Sequence, residues 1–148
     1  MTAIRHAEEV QLYGRRFTFR YTDRPELRRV EIEVLEGSGP EARPLVPHPV
    51  RGRNDEDARE RAMTALANYA GLDRYLGLVR RAAEALAPGS WLEVDEDAAE
   101  IRVDLVGPRR LRVPLTLVRD DALDPERTDE ELLAFIRAHL DAYLEGPA

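Results

Sequence analysis
From Asn54 to Leu86 a charged opening, NDEDARER, gives way to apolar residues at helical intervals, and nothing else in the chain limits the fold as much. Ala58, Ala62, Ala65, Leu66 and Tyr69 fall on one face, and after Gly71 the series restarts as Leu72, Leu76, Val79, Ala83 and Leu86. Asn54 is placed to accept from the free N–H groups of the first turn, where Asp55, Glu56 and Asp57 suit the positive end of the helix dipole. Pro88-Gly89 ends the run. Gly71 can close a first helix in the left-handed region, with Asp73 capping a second, or lie inside one helix at a cost of ~1 kcal/mol. One helix or two is left open.

Strand patterns flank this stretch. From Arg16 to Thr22 the alternation is strict: Phe17, Phe19 and Tyr21 on one side, Arg16, Thr18, Arg20 and Thr22 on the other. Val30, Ile32 and Val34 repeat the period, so the two runs make a hairpin across Asp23-Arg24-Pro25-Glu26. Setting Tyr21 opposite Val30, Phe19 opposite Ile32 and Phe17 opposite Val34 puts Arg20 against Glu31, a favourable match. Residues 1–15 read as a flexible start followed by a short helix or a lead-in strand. Residues 36–53 are a Pro/Gly-rich connection in which Pro44, Pro47 and Pro49 confine any strand to a sheet edge.

Beyond the central stretch comes a meander. Trp91 to Val94 is short, Asp95-Glu96-Asp97 turns, and Ile101, Val103 and Leu105 share a face with Leu111, Val113, Leu115 and Leu117 across Gly107-Pro108. Pairing Leu105 with Leu111 sets Asp104 against Arg112. Thr128-Asp129-Glu130-Glu131 is a capping box, Leu132, Leu133, Ile136, Leu140 and Tyr143 form the stripe of the helix it opens, and Gly146-Pro147 closes that helix.

Strands with one apolar and one charged face, and helices with one stripe each, predict an α+β, two-layer sandwich. Its antiparallel sheet of about five strands, in two hairpin or meander units, is packed by the central helix or helix pair and the C-terminal helix. The 148 residues suit a single domain, and the element order hints at two similar halves of about 74 residues that no residue-level repeat supports.

Composition excludes several chemistries. Cysteine is absent, which removes thiol catalysis, disulfides and thiolate metal sites; lysine is absent too, which removes Schiff-base chemistry and the phosphate-binding lysine of a P-loop. A net charge of −7 argues against a dedicated nucleic-acid binder or a protein drawn to anionic membranes. No apolar run approaches the ~20 residues of a spanning helix, and MTAIRHAEEV lacks a secretory core, so the expected location is the cytoplasm.

Three constellations merit weighing. Arg15 to Arg29 interleaves arginines with three aromatics, the ingredients of a single-strand nucleic-acid groove, but strict alternation commits the rings to the core and leaves Arg16 and Arg20 outside. His48, followed by acids, matches no ligand spacing, and His6 and His139 lie far from it in sequence. The acidic clusters at 55–57, 95–97, 120–121 and 129–131 read as helix starts and turns. Trp91 is the remaining candidate: with Leu92 and Val94 facing the core it points outward, beside Arg102 and Arg112, as a contact residue.

The succession of hairpin, loop and GRNDEDARERAMTAL, from Gly52 to Leu66, resembles the end of a double-stranded RNA-binding domain or the sheet-to-helix passage of a HicB-type antitoxin. The RNA-binding family wants basic residues where this helix opens with Asp55, Glu56 and Asp57, so no function follows. Leu72 to Leu144 is similar in element order to small secretion-chaperone folds. The reading reached is a non-catalytic binding or regulatory module working through protein–protein contacts, a chaperone-like adaptor being one form, with a protein partner or a second copy (a homodimer) as occupant. No catalytic, metal or cofactor residue is assigned; the interaction candidates are Trp91, Arg102, Arg112, Arg16 and Arg20. The alternatives are a nucleic-acid-associated protein using Arg15–Arg29 and a small hydrolase joining carboxylates to His48.

Overall fold
The computed structural model describes residues 4–145. The α+β class and antiparallel pairing follow the sequence patterning, and the strands are shared between two sheets, of five and three strands, rather than joined in one. Short connections favour pairing of consecutive strands, and the central helical stretch separates the two sets. By packing the chain divides after Gly71 into two compact units.

In residues 1–71, β1 (Ile4–Leu12), β2 (Arg15–Arg24) and β3 (Arg29–Glu36) pair in order, and β4 (Arg43–Pro44) and β5 (Val50–Gly52) both add to the far side of β3. The lead-in is thus an edge strand. Phe17, Phe19, Tyr21, Val30, Ile32 and Val34 are buried against Ala58, Ala62 and Leu66 of α1 (Asp55–Leu66). Asn54 caps α1 by accepting from the Asp57 N–H at 2.8 Å.

The hairpin register differs from the charge-based choice. Tyr21 faces Ile32, Phe19 faces Val34 and Phe17 faces Glu36, which brings Arg20 against Glu33 and Arg24 against Arg29. The reason is the turn: β2 runs on through Arg24, a short 3-10 turn covers Pro25–Leu27, and Arg28 closes it in the left-handed region at φ 52°. The opposed Arg24 and Arg29 are tolerated because Glu31 lies within ion-pair distance of both.

The helical backbone does not break at Gly71. A wide, π-type turn at Ala67–Gly71 joins α1 to α2 (Leu72–Leu86), and the buried series Ala58, Ala62, Leu66, Ala70 resumes at Tyr75, Val79 and Ala83 after a step of five instead of four. The inserted residue carries the stripe through Ala70 to Tyr75, so Tyr69, expected on it, is exposed; in α2 Val79 and Ala83 are buried as expected, with Tyr75 and Leu78 added, while Leu86 at the end of the helix is exposed.

In residues 72–148, β6 (Trp91–Glu96), β7 (Glu100–Gly107) and β8 (Leu111–Val118) form a meander, followed by α3 (Arg119–Ala122) and α4 (Asp129–Glu145). Ile101, Val103, Leu105, Val113, Leu115 and Leu117 pack with buried residues of α2 and α4, among them Leu132, Leu133, Ile136 and Leu140; Tyr143 is exposed. Leu105 pairs with Val113, not Leu111, and Asp104 faces Pro114. Arg109 and Arg110 both take φ near +60°, and the turn between the paired Gly107 and Leu111 spans 108–110, two residues more than the expected pairing would leave it. Arg112 still reaches Asp104, diagonally, by a short charged hydrogen bond. At the α4 cap Thr128 accepts from the Glu131 N–H at 3.1 Å, and the Glu131 carboxylate takes the Thr128 hydroxyl rather than a backbone N–H. Gly146-Pro147 lies outside the described residues.

Candidate functional sites
Alternation along β6 sends Leu92 and Val94 toward the helices and Trp91, Glu93 and Asp95 to the other face. Trp91 is 53% exposed, as its outward position implies, but the inward row is also incompletely covered: Val94 is 42% exposed, and Leu86 at the end of α2 is 38% exposed. A cavity of about 360 Å³ lies beside this strand, lined by Arg80, Ala83 and Glu84 of α2 and by Ser90, Trp91 and Leu92. Arg102 and Arg112 share the outer face with Trp91 and are held by carboxylates, Arg102 by Asp95 at 2.9 Å and Arg112 by Glu93 at 3.1 Å.

The two edges of this sheet differ. On β8, Pro114 offers no N–H, and its carbonyl accepts from His139 Nε2 of α4 at 2.9 Å. On β6 no strand pairs with the side away from β7 among the described residues. Its backbone is therefore the more available partner for another strand.

Arg16 and Arg20 lie on the charged face of the other sheet. Arg16 is 3.8 Å from Glu9, and Arg20 stands opposite Ala7 and Glu33. The aromatics between them are buried, so the hairpin presents no stacking rings to bases. Farther along the same sheet face as Arg20, arginines gather that the sequence alone does not bring together. Glu31, whose side chain is only 9% exposed, is approached by Arg24 at 3.5 Å, Arg29 at 3.3 Å and Arg51 at 3.6 Å. On α1, Asp57 accepts from the Arg53 N–H and the Arg61 guanidinium; the Arg53 N–H above all holds its carboxyl below the usual carboxylate range. Arg28, Arg29, Arg51, Arg53 and Arg61 line a shallow cavity of about 280 Å³ here.

A third cluster is structural. Glu8 of β1 binds Arg59 of α1 in a forked pair, at 2.9 and 3.0 Å, and accepts from the Tyr21 hydroxyl at 2.8 Å, while His6 stacks on the Tyr21 ring at 4.1 Å. Burial pushes the Tyr21 phenol up to about 12, so it stays a donor; Arg59, and then Tyr21, hold Glu8 below its ordinary pKa against the opposing effect of burial. Because the folded pKa is the lower one, Glu8 stabilises the fold at pH above ~4.3 and loses that contribution as pH falls through its folded value. Glu8→Gln is expected to cost about 1 kcal/mol at pH 7, the partial exposure of Arg59 screening the pair. That difference from the parent should shrink progressively as pH falls below ~4 in paired urea titrations; a gap independent of pH would sink the assignment.

His48 has no hydrogen-bond or ion partner among the described residues, and no group of three or more His, Asp or Glu there is placed to hold a metal ion. Several acidic clusters are tied into the fold: Asp97 accepts from the Ala99 and Glu100 N–H groups, and Asp129 takes Arg74. No described helix is long and apolar enough to cross a membrane. No known family model, curated protein or solved structure matches the chain.

Proposed function
We propose that the protein is a non-catalytic binding module that takes an extended protein segment as an added strand on β6. The observation that carries this is an unpaired edge strand beside a groove with both polar and apolar walls. Main-chain hydrogen bonds along β6 would supply affinity, and the cavity between α2 and Trp91 would receive one side chain of the partner. An exposed tryptophan at the start of the edge strand fits the anchor of such an interface. The acidic clusters, used as caps and turn braces, favour binding over acid–base catalysis. The cysteine-free composition fits a reducing compartment, and we place the module in the cytoplasm.

Charge selects the partner. Glu93, Asp95 and Glu96 line the strand and are paired with Arg112, Arg102 and Arg119. Asp97, Glu100 and Asp104 share two of the same arginines, so carboxylates stay in excess and a segment alternating apolar and basic residues complements the strand. Pairing β6 with a second β6 is disfavoured: antiparallel registers centred on Glu93 or Val94 that keep the apolar faces together set Glu93 against Glu93 or Asp95.

The test is hydrogen exchange with a synthetic peptide alternating valine and arginine, and with a glutamate version. The basic peptide is expected to slow exchange at 91–96, and Trp91→Ala to weaken its affinity by about tenfold. Equal binding of the acidic peptide, or no protection on β6, would overturn the reading. Concentration-dependent dimerisation that protects 91–96 without peptide would replace the basic partner with a second copy.

A further inference from the structure
The arginine cavity of residues 1–71 has no part in strand addition at β6, and its construction points to a ligand. Arg28, Arg29, Arg51, Arg53 and Arg61 line it, with Asp57 the one carboxylate on the wall. Arg29 and Arg51 are also engaged by Glu31, but that single buried carboxylate is shared with Arg24, leaving its arginines in excess of its charge. Arg28, held at the turn in the left-handed region, has no ion pair among the described residues. The Nε atom of Arg29, which lines the cavity, is buried without a hydrogen-bond partner. In a chain of net charge −7, guanidinium groups gathered in such excess make a local basic patch that attracts anions.

The device resembles a template: Glu31 and Asp57 fix guanidinium groups from three segments so that their remaining N–H donors are left for a guest. Gly52 lets this happen, because it seats β5 directly against the start of α1 and so brings Arg51 and Arg53 beside Arg61. Arginine forks match the paired oxygens of phosphate, and several forks around one cavity suit a group with more than one negative charge.

We infer that this cavity binds the multiply charged phosphate group of a small molecule, with Arg28 and Arg51 as its principal ligands. A small ligand fits better than a nucleic-acid strand. Asp23, Glu26, Asp55 and Glu56 flank the arginines in sequence, and a phosphodiester chain leaving the cavity would meet their charge.

Calorimetry with pyrophosphate, inorganic phosphate and a single-stranded RNA oligonucleotide tests this on the full chain. Pyrophosphate is expected to bind with one site per chain and more tightly than phosphate. Arg28→Ala and Arg51→Ala should each weaken it about tenfold, while Arg137→Ala, on α4, leaves it unchanged. Circular dichroism of each variant confirms folding, and Arg28→Gln, which keeps the turn's bulk, serves if Arg28→Ala is unstable. Absence of pyrophosphate binding, or equal binding in the Arg28→Ala Arg51→Ala double variant, overturns the inference. Oligonucleotide binding tighter than pyrophosphate and lost in the same variant also overturns it, in favour of a nucleic-acid surface.

Discussion

Gly52→Ala is expected to destabilise residues 1–71 by about 3 kcal/mol or more, because no rotamer or side-chain shift can make room for one added methyl group. A Cβ at position 52 would lie 2.3 Å from the Ala58 backbone nitrogen and 2.5 Å from its Cα. Both are main-chain atoms of α1, so β5 and the helix would have to separate, breaking the pairing of Val30 with Gly52 and opening the layer that covers Ala58. Gly77→Ala is the matched control. Nothing lies within 4 Å of its added Cβ, and an alanine inside α2 should be neutral or stabilising by up to ~1 kcal/mol. Urea unfolding followed by far-UV circular dichroism gives the two values, and hydrogen exchange locates the loss. Gly52→Ala should release β3, β5 and the start of α1; a variant within 0.5 kcal/mol of the parent would show that the close approach is not real.

The elements legible in sequence are those set by local rules. Asn54 and Thr128 start helices because their side chains reach N–H groups three residues on, and the strict alternation around Phe17, Phe19 and Tyr21 fixes which face of β2 is buried. The same rule placed Trp91 outward. Strand register was not legible, because loop length decides it and the turns close through Arg28, Arg109 and Arg110, arginines with positive φ where sequence would lead one to seek glycine or asparagine. Cross-strand charge pairs are too weak to override that geometry: each contributes roughly 0.2–1 kcal/mol, less than the cost of rebuilding a turn or moving an aromatic row. The helical stripe failed at one point for a similar reason, since one residue inserted at Ala67–Gly71 turned Tyr69 out and Tyr75 in.

The candidate sites divide along the same line. The groove at β6 rests on alternation and an edge position, so Trp91 could be found, whereas Arg51 and Arg53 belong to a segment whose prolines marked it as connection. Only the pairing of β5 with β3 carries Arg51 to Glu31, across twenty residues of chain. Two close arginines, RGR, directly ahead of a capped helix start were the one signal available, and they gained meaning only when Arg28 and Arg61 stood beside them.

Arg74→Ala is expected to cost about 2–3 kcal/mol, the second large effect, although no feature of the sequence marks this arginine. Its side chain is 9% exposed and draws together the loop that precedes α4: Nε donates to Asp129 at 2.7 Å, Nη1 to the Asp124 carbonyl at 3.3 Å, and Nη2 to the Arg127 carbonyl. The loop therefore depends on a planar fork with donors in three directions. Lysine, with one compact ammonium, cannot reproduce this, so Arg74→Lys should recover less than half of the loss. The ion pair is the smaller part of the effect. Asp129 is 63% exposed, and a pair open to water on one side contributes ~1 kcal/mol or less, whereas charged hydrogen bonds to carbonyl groups contribute ~1.5–3 kcal/mol and leave unpaired acceptors when removed. Asp129→Asn should accordingly cost under ~1 kcal/mol. Urea unfolding of the three variants, with hydrogen exchange over 124–131, separates the contributions: equal losses in Asp129→Asn and Arg74→Ala would mean that the ion pair, not the grip on the carbonyls, holds the start of α4.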